Sequence, residues 1–467
     1  MMKTNSLDFD AQALREKILD LAMRGKLIKQ DPNDEPASVL LEKIKAEKAK
    51  LVKEKKIKKS KPLPEITDDE KPFDIPDSWE WVHVKDVTTI GNFHSVSPQN
   101  INQGENLIEL ADIESNTGRL LNFEKVTSEV GSNKYQYNQG DVLFAKLRPY
   151  LRKVLIAPND GICTTELLPI NGIQTSNIYI YYTFLSSLIF EQIRQEMHGV
   201  NLPRISPKKL AELIIPLPPL SEQSRIAAKI AQLFALLRKV ETSTQQYTKL
   251  QTLLKSKVLD LAMRGKLVKQ DPNDEPASVL LEKIKAEKEQ LIKEKKIKRS
   301  KPLPPISDEE KPFKIPDSWE WVRLGDIITL TSGKQLTKNR MNNNFQYSVF
   351  GANGKIGYFK EYNVNPNTIL IGRVGSVGSI NLTTGNTWAT DNTLIVTPIC
   401  KNNLSVVWLE YLLQFSNLKN LASRTSQPVI SATKVGNVII PFPPLSEQNR
   451  IATKIVQLLG LLRKDES

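Results

Sequence analysis

Two blocks of this chain occur twice, at two different offsets, and that pair of offsets limits what it can fold into more than any other feature. Residues Ile18–Lys48 return at Val258–Lys288 with 29 of 31 positions identical, a shift of 240. Residues Pro216–Lys239 return at Pro441–Lys464 with 18 of 24 identical, a shift of 225. Between the copies, residues 82–215 and 322–440 share little and differ in length by 15. A duplicated frame around unlike contents predicts two different reading heads at a constant separation, and so a two-part target.

The frame reads as long helix. Pro216-Leu217-Pro218-Pro219 is stiff and is expected to stop both sheet and helix. Ser221 stands where an N-cap belongs, with Glu222 in the first turn. Apolar positions then alternate by four and three through Ile226, Ile230, Leu233, Leu237 and Val240. Polar Thr244 and Gln251 soften a seam that continues to Leu254, Val258 and Leu261. Gly265 is placed to end the helix, which predicts roughly 40 residues and about 60 Å. The second copy starts at Ser446 and breaks off in mid-pattern at Ser467. Its other half is at the amino end, where Leu7, Ala11, Leu14, Ile18 and Leu21 match Tyr247, Gln251, Leu254, Val258 and Leu261. The termini are therefore expected close together, with the interrupted helix antiparallel to the unbroken one.

Each frame also carries a lysine-rich arm, Leu41–Lys61 and Leu281–Lys301, with ten Lys against three Glu in the first. A solvated helix held by Glu–Lys pairs is favoured over an arm that contacts phosphate or a partner. The following KPLPEITDDEKPFDIPDSWEW reads as an extended connector that docks Trp79 and Trp81. In the heads, 106–113, 140–146, 368–372 and 393–396 read as strands, and 178–197 and 405–421 as helices.

The net charge is +13, which fits a polyanionic partner and equally fits a merely lysine-rich surface. Two cysteines and three histidines give neither a disulfide framework nor zinc-ligand spacing. No run approaches a membrane span and the amino end has no apolar signal region, so a cytoplasmic protein is expected. There is no Asn-Pro-Pro-aromatic or Asp-Pro-Pro-Tyr tetrapeptide of the amino-methyltransferases. Ser332-Gly333-Lys334-Gln335 lacks both flanking features of a Walker A loop, and Gly351–Gly357 reads as a turn-rich hairpin. Neither a catalytic triad nor a nuclease motif is legible, and no catalysis or bound cofactor is expected of this chain.

The block SEQ-(S/N)-R-I-A after PLPPL or PFPPL resembles the conserved regions of type I restriction–modification specificity subunits. DLAMRGKL-(I/V)-KQDPNDEPASVLLEKIKAEK and IPDSWEWV resemble one subclass of that family. The resemblance covers essentially the whole chain. It implies an α+β architecture, with two mixed α/β target recognition domains joined by two long antiparallel helices in a coiled-coil spacer, pseudo-two-fold and circularly organised. The corresponding segments are 1–30, 31–81, 82–215, 216–267, 268–321, 322–440 and 441–467. The implied partners are double-stranded DNA, two methyltransferase subunits and restriction–translocase subunits. S-adenosylmethionine, ATP and Mg would belong to those partners, and the chain itself would only read sequence. A motor-less methyltransferase system, or a coiled-coil scaffold with two protein-binding heads, are the alternatives.

Within the heads the expected DNA contacts are Lys146, Arg148 and Arg152 near a strand end, and Asn201, Arg204 and Lys208 in and after a loop. In the second head they are Arg373, then Arg424, Ser426 and Gln427, and Lys434. Asn, Gln and Arg rank above Lys for base reading because they can bond a purine edge with two atoms at once.

Overall fold

The computed structural model describes residues 10–59, 61–196, 203–299, 303–423 and 428–464. The chain divides into two compact units, residues 8–244 and residues 245–467 with 1–7.

The first unit opens with α1 (Ala11–Met23), capped by the Asp10 carboxylate, which accepts from the Ala13 N–H. The helix ends in a Schellman turn, with Lys26 N–H donating to Leu21 O and Gly25 N–H to Ala22 O. Gly25 sits at φ 65, and a Cβ there would lie 2.4 Å from Pro76 Cγ. Left-handed backbone and close approach both demand glycine, and Gly265 repeats the arrangement against Pro316.

Helix α2 (Ala37–Lys53) buries Ala37, Leu40 and Ile44, one stripe at helical spacing. The connector then leads through β1 (Glu80–His83) and the short α3 (Val84–Val87) into the head. Its strands are β2 (Ser95–Val96), β3 (Asn106–Ile108), β4 (Glu124–Lys125) and β5 (Lys134–Tyr137). They continue with β6 (Val142–Ala145), β7 (Val154–Ile156), β8 (Gly161–Thr164) and β9 (Leu167–Ile170). Two sheets result, in the orders β2-β5-β8-β3-β4 and β7-β6-β9. Helices α4 (Asn177–Leu185), α5 (Ser187–Glu196) and α6 (Pro207–Glu212) complete the head. The chain leaves by β10 (Ile214–Leu217), antiparallel to β1, into α7 (Leu220–Met263).

The second unit holds the far end of α7, then α8 (Ala277–Lys293), β11 (Glu320–Arg323) and α9 (Leu324–Ile327). Its head has β12 (Ile328–Ser332), β13 (Tyr347–Gly351), β14 (Gly354–Phe359) and β15 (Ile369–Gly372). The remaining strands are β16 (Ile380–Leu382), β17 (Thr387–Ala389) and β18 (Thr393–Pro398). The sheet orders are β12-β18-β15-β16 and β14-β13-β17. Helices α10 (Val406–Phe415) and α11 (Ala432–Gly436) precede β19 (Ile439–Phe442), which pairs with β11, and α12 (Leu445–Lys464) follows.

The heads are more alike than their sequences. In both, a central strand lies between two antiparallel neighbours, β7-β6-β9 and β16-β15-β18. In both, one parallel pair carries an antiparallel outer strand, β8-β3-β4 and β17-β13-β14. The first head adds β5 and β2 on the other side of β8, where the second has only an isolated bridge from Val364 to Thr387.

The contacts around one buried glutamate recur in both frames. Trp79 Nε1 donates to Glu222 Oε2 at 2.9 Å, and Trp319 Nε1 to Glu447 Oε2 at 2.8 Å. Gln30 and Gln270 supply the second donor to the same carboxylates. Burial pushes the pKa of both glutamates up, and the indole and amide donors pull it back. Arg225 Nη1 lies 3.1 Å from Asp34 Oδ1, as Arg450 Nη1 does from Asp274 Oδ1.

Several expectations need correction. Ser221 is not the N-cap, because α7 already starts at Leu220 and the Ser221 hydroxyl donates to Asp34 instead. Pro216 does not stop the sheet, for it sits in β10 opposite Trp81, in a two-stranded ribbon whose free edge needs no N–H. The strand foreseen over 106–113 ends at Ile108, where Asp112 accepts from the Glu109 N–H and closes a 3-10 turn. The helix foreseen over 178–197 breaks at Ser186, whose hydroxyl donates to Thr183 O, and that over 405–421 stops at Phe415. Helix α7 is 44 residues long, about 66 Å at the usual rise, and the Gly265 stop is observed. Its buried face at the far end is Val258, Leu259, Ala262 and Met263, one position off the expected Leu261. The expected proximity of the termini falls on 1–9 and 465–467, outside the described residues. Among the described residues no helix is long and apolar enough to cross a membrane.

Candidate nucleic-acid interface

The first-head candidates come from two distant stretches that the fold joins. Strand β6 is buried along its whole length and delivers Lys146, Leu147 and exposed Arg148 at its end. Lys146 N–H donates to Glu166 O at 2.9 Å, continuing the ladder with the β8–β9 connection. The chain after the loop closes on the other side. Ile205 N–H donates to Lys146 O at 3.0 Å, Arg148 N–H donates to Pro203 O at 2.8 Å, and Leu147 bridges Arg204. Lys146, Arg148 and Arg204 thus share one short ribbon.

The same ribbon exists in the second head. Arg373 N–H donates to Asn392 O at 2.8 Å, Ile430 N–H donates to Arg373 O at 3.0 Å, and Val374 bridges Val429. Lys146 and Arg373 therefore occupy equivalent backbone positions at the ends of equivalent strands. Arg373 Nη1 reaches Ser332 Oγ at 3.4 Å, while its Nε is buried with no hydrogen-bond partner. A buried guanidinium N–H left unpaired is costly.

The turn after each ribbon strand is built differently. Arg148 and Arg152 adopt φ 49 and φ 46, in the left-handed region, on either side of a 3-10 turn at Pro149–Leu151. The matching turn in the second head has Gly375 and Gly378 at φ 77 and φ 76.

The remaining candidates divide. Arg152 is turned to packing, its Nη1 3.1 Å from Glu16 Oε1, its guanidinium 4.7 Å above Phe190 and its side chain 12% exposed. Arg204 is exposed and its Nε faces Glu166 Oε2 at 3.4 Å. Lys208 is exposed on α6, and Lys434 is exposed on α11 with Nζ donating to Leu421 O at 3.1 Å. Asn201, Arg424, Ser426 and Gln427 lie outside the described residues.

One relation in this region was missed at the level of sequence. Pro203-x-Ile205-Ser206 and Pro428-x-Ile430-Ser431 match at the frame offset of 225, so the repeat reaches into the ribbon. Ser206 and Ser431 each cap a short helix, accepting at 3.2 Å from the N–H of Lys209 and of Lys434. Lys209, not Lys208, is therefore the counterpart of Lys434. The shared proline, isoleucine and serine were the signal that could have found it.

Comparison with known proteins identifies the family and the fold. The family model described as the type I restriction modification DNA specificity domain matches residues 76–250 and 316–464. The EcoAI specificity subunit of Escherichia coli is 34% identical, over 98% of this chain and 90% of that protein. The EcoEI specificity subunit of Escherichia coli is 38% identical, over 68% of this chain and 62% of that protein. A chain solved in work on complex assembly and conformational transition of the type I R-M system shares the fold, with TM-score 0.57 and 22% identity over 84% of this chain and 93% of that one. Matched in both halves and related along nearly its whole length, the chain belongs to the family of type I restriction modification DNA specificity domains.

Proposed function

We propose that this chain reads DNA sequence for a type I restriction–modification complex, one half-site per head, and positions methyltransferase and motor–nuclease subunits there. The observation that carries this is the pair of equivalent ribbons, each offering a cation where a buried strand ends, Lys146 with Arg148 in one and Arg373 in the other. Phosphate contacts would set register while these side chains, with Arg204, meet base edges. The reading heads comprise residues 82–215 and 322–440. The chain itself performs no catalysis and acts in the cytoplasm. Methyl transfer, ATP and Mg belong to the partner subunits.

We infer that α7 acts as a coiled-coil spacer that holds two half-sites about one helical turn (~34 Å) apart. In support, Leu233, Leu237, Thr244, Tyr247 and Gln251 are half-covered at seam spacing along a mostly exposed helix, whereas Val240 and Leu254 of the expected seam are exposed among the described residues. In the first unit, the Arg15–Glu241 ion pair ties α1 to its flank.

The test is a methylation map of the genome in cells expressing the chain with its partner subunits. Wild type should give one bipartite motif, and Arg148→Ala and Arg373→Ala should each relax a different half. Equal damage to both halves would refute the two-head reading.

A further inference from the structure

The lysine-rich arm of the first unit does not end as a solvated helix. Helix α2 stops with Lys55 at φ 58 and Lys56 N–H donating to Leu51 O, so the chain turns back on itself. Ile57 is buried, and Lys58 N–H donates to Asn92 Oδ1 at 2.7 Å, which fastens the arm to the start of the first head. The result is a hollow of about 270 Å³ whose lining includes Lys48, Lys58, Lys61, Lys85 and Lys208, with Glu212 as its one carboxylate.

These lysines are gathered by carbonyls. Lys85 Nζ donates to Lys61 O at 2.5 Å, and Lys48 Nζ to Lys85 O. None of the five forms a carboxylate ion pair among the described residues, while Glu212 is paired with Lys209 at 3.4 Å. Burial, with like charge from Lys85, lowers the pKa of Lys48, against the nearby Asp86. Five lysines thus face one lining carboxylate, with Asp86 nearby, so positive charge is in excess here.

The second unit repeats the lysine-to-carbonyl bond of this place but carries two fewer of its lysines, Lys298 and Lys301 matching Lys58 and Lys61 in sequence. Lys288 Nζ still donates to Gly325 O at 2.9 Å and lies 4.0 Å from Asp326, the counterpart of Asp86. At the two frame offsets, however, Lys85 is replaced by Gly325 and Lys208 by Thr433. Lys208 stands four residues beyond Arg204 of the reading ribbon, within about 14 Å along the chain.

We propose that this hollow holds a backbone phosphate of the DNA flanking the first half-site, an anchor that the second unit lacks. The proposal rests on the DNA-reading function above. Each phosphate neutralised by a lysine adds about 0.9 to the slope of log affinity against log salt.

The experiment titrates the full-length chain and its Lys85→Met, Lys208→Met double variant with a duplex carrying the mapped target, between 50 and 200 mM salt. The double variant should show a slope shallower by about 0.9, so that the wild-type advantage shrinks roughly three- to fourfold across that range, with the preferred bases unchanged. Lys208→Met alone should shift the slope in the same direction, by no more than about 0.9. Trimming the duplex beyond the first half-site should abolish the difference, and trimming beyond the second should not. Equal slopes for wild type and variant, with the wild type binding its target, would overturn this inference alone. A wild type with no target preference would overturn the proposed function and this inference with it.

Discussion

After β6 in the first head the chain turns through arginines at φ 49 and φ 46, and after β15 in the second it turns through glycines at φ 77 and φ 76. The strand plan around the two turns is the same, so the left-handed backbone is a demand of the fold. Glycine meets that demand without cost, whereas a side chain there costs about 1 kcal/mol. Arg152 answers for its place through Glu16 and Phe190. Arg148 is exposed, and no side chain pairs with its guanidinium among the described residues. The first head thus keeps an arginine where the second shows that glycine suffices, which points to a reading side chain tolerated at the expense of backbone comfort.

That comparison can be broken most severely in the frames, where the units should behave alike. Trp79→Ala and Trp319→Ala each remove a buried indole and a donor to a buried carboxylate. Each should cost its own unit about 3–5 kcal/mol, read as lost amide protection in hydrogen exchange. A large effect at one and a small effect at the other would show that the frames are not energetically equivalent.

The heads should differ. Arg148→Gly is expected to raise stability to denaturant by about 1 kcal/mol while relaxing first-half reading by about 1–3 kcal/mol in competition binding. A variant that loses stability, or reads its half-site unimpaired, would remove the contrast with Gly375.

The smallest effect concerns pH. The Arg225 guanidinium holds the Asp34 carboxyl below its ordinary value of 3.8, opposed by burial and helped by Ser221. A depressed carboxyl binds fewer protons when folded, so its contribution is complete above pH 3.8 and is lost as pH falls below it. Asp34→Asn should lower stability at neutral pH by on the order of 1 kcal/mol, given the partly exposed arginine, and flatten the acid limb of the melting curve.

The frame was legible because its signals are local and stated twice. Gly265 and Trp79 announce a helix end and a docked ring. What stayed hidden depends on partners far along the chain. Ser221 looks like a cap until Asp34, distant in sequence, takes its hydroxyl. The parallel pairing of β3 with β8 joins Leu107 to Ile162, and no local pattern encodes it. Lys146 and Arg373 were singled out by residue type, but their equivalence arises from backbone bonds to Ile205 and Ile430 that composition does not carry. The reach of the repeat into Pro203–Ser206 was readable and passed over, because three shared residues are faint beside 29 identical ones.

The joints between head and frame have a consequence for inheritance. Where each head joins its frame, the same tryptophan–glutamate bond and arginine–aspartate clasp recur, made of the same residue types in both copies. A cassette exchanged by recombination within the repeated blocks would meet familiar fittings at either socket. Target choice can then be rewritten by shuffling modules, with no hinge, cap or clasp left to redesign.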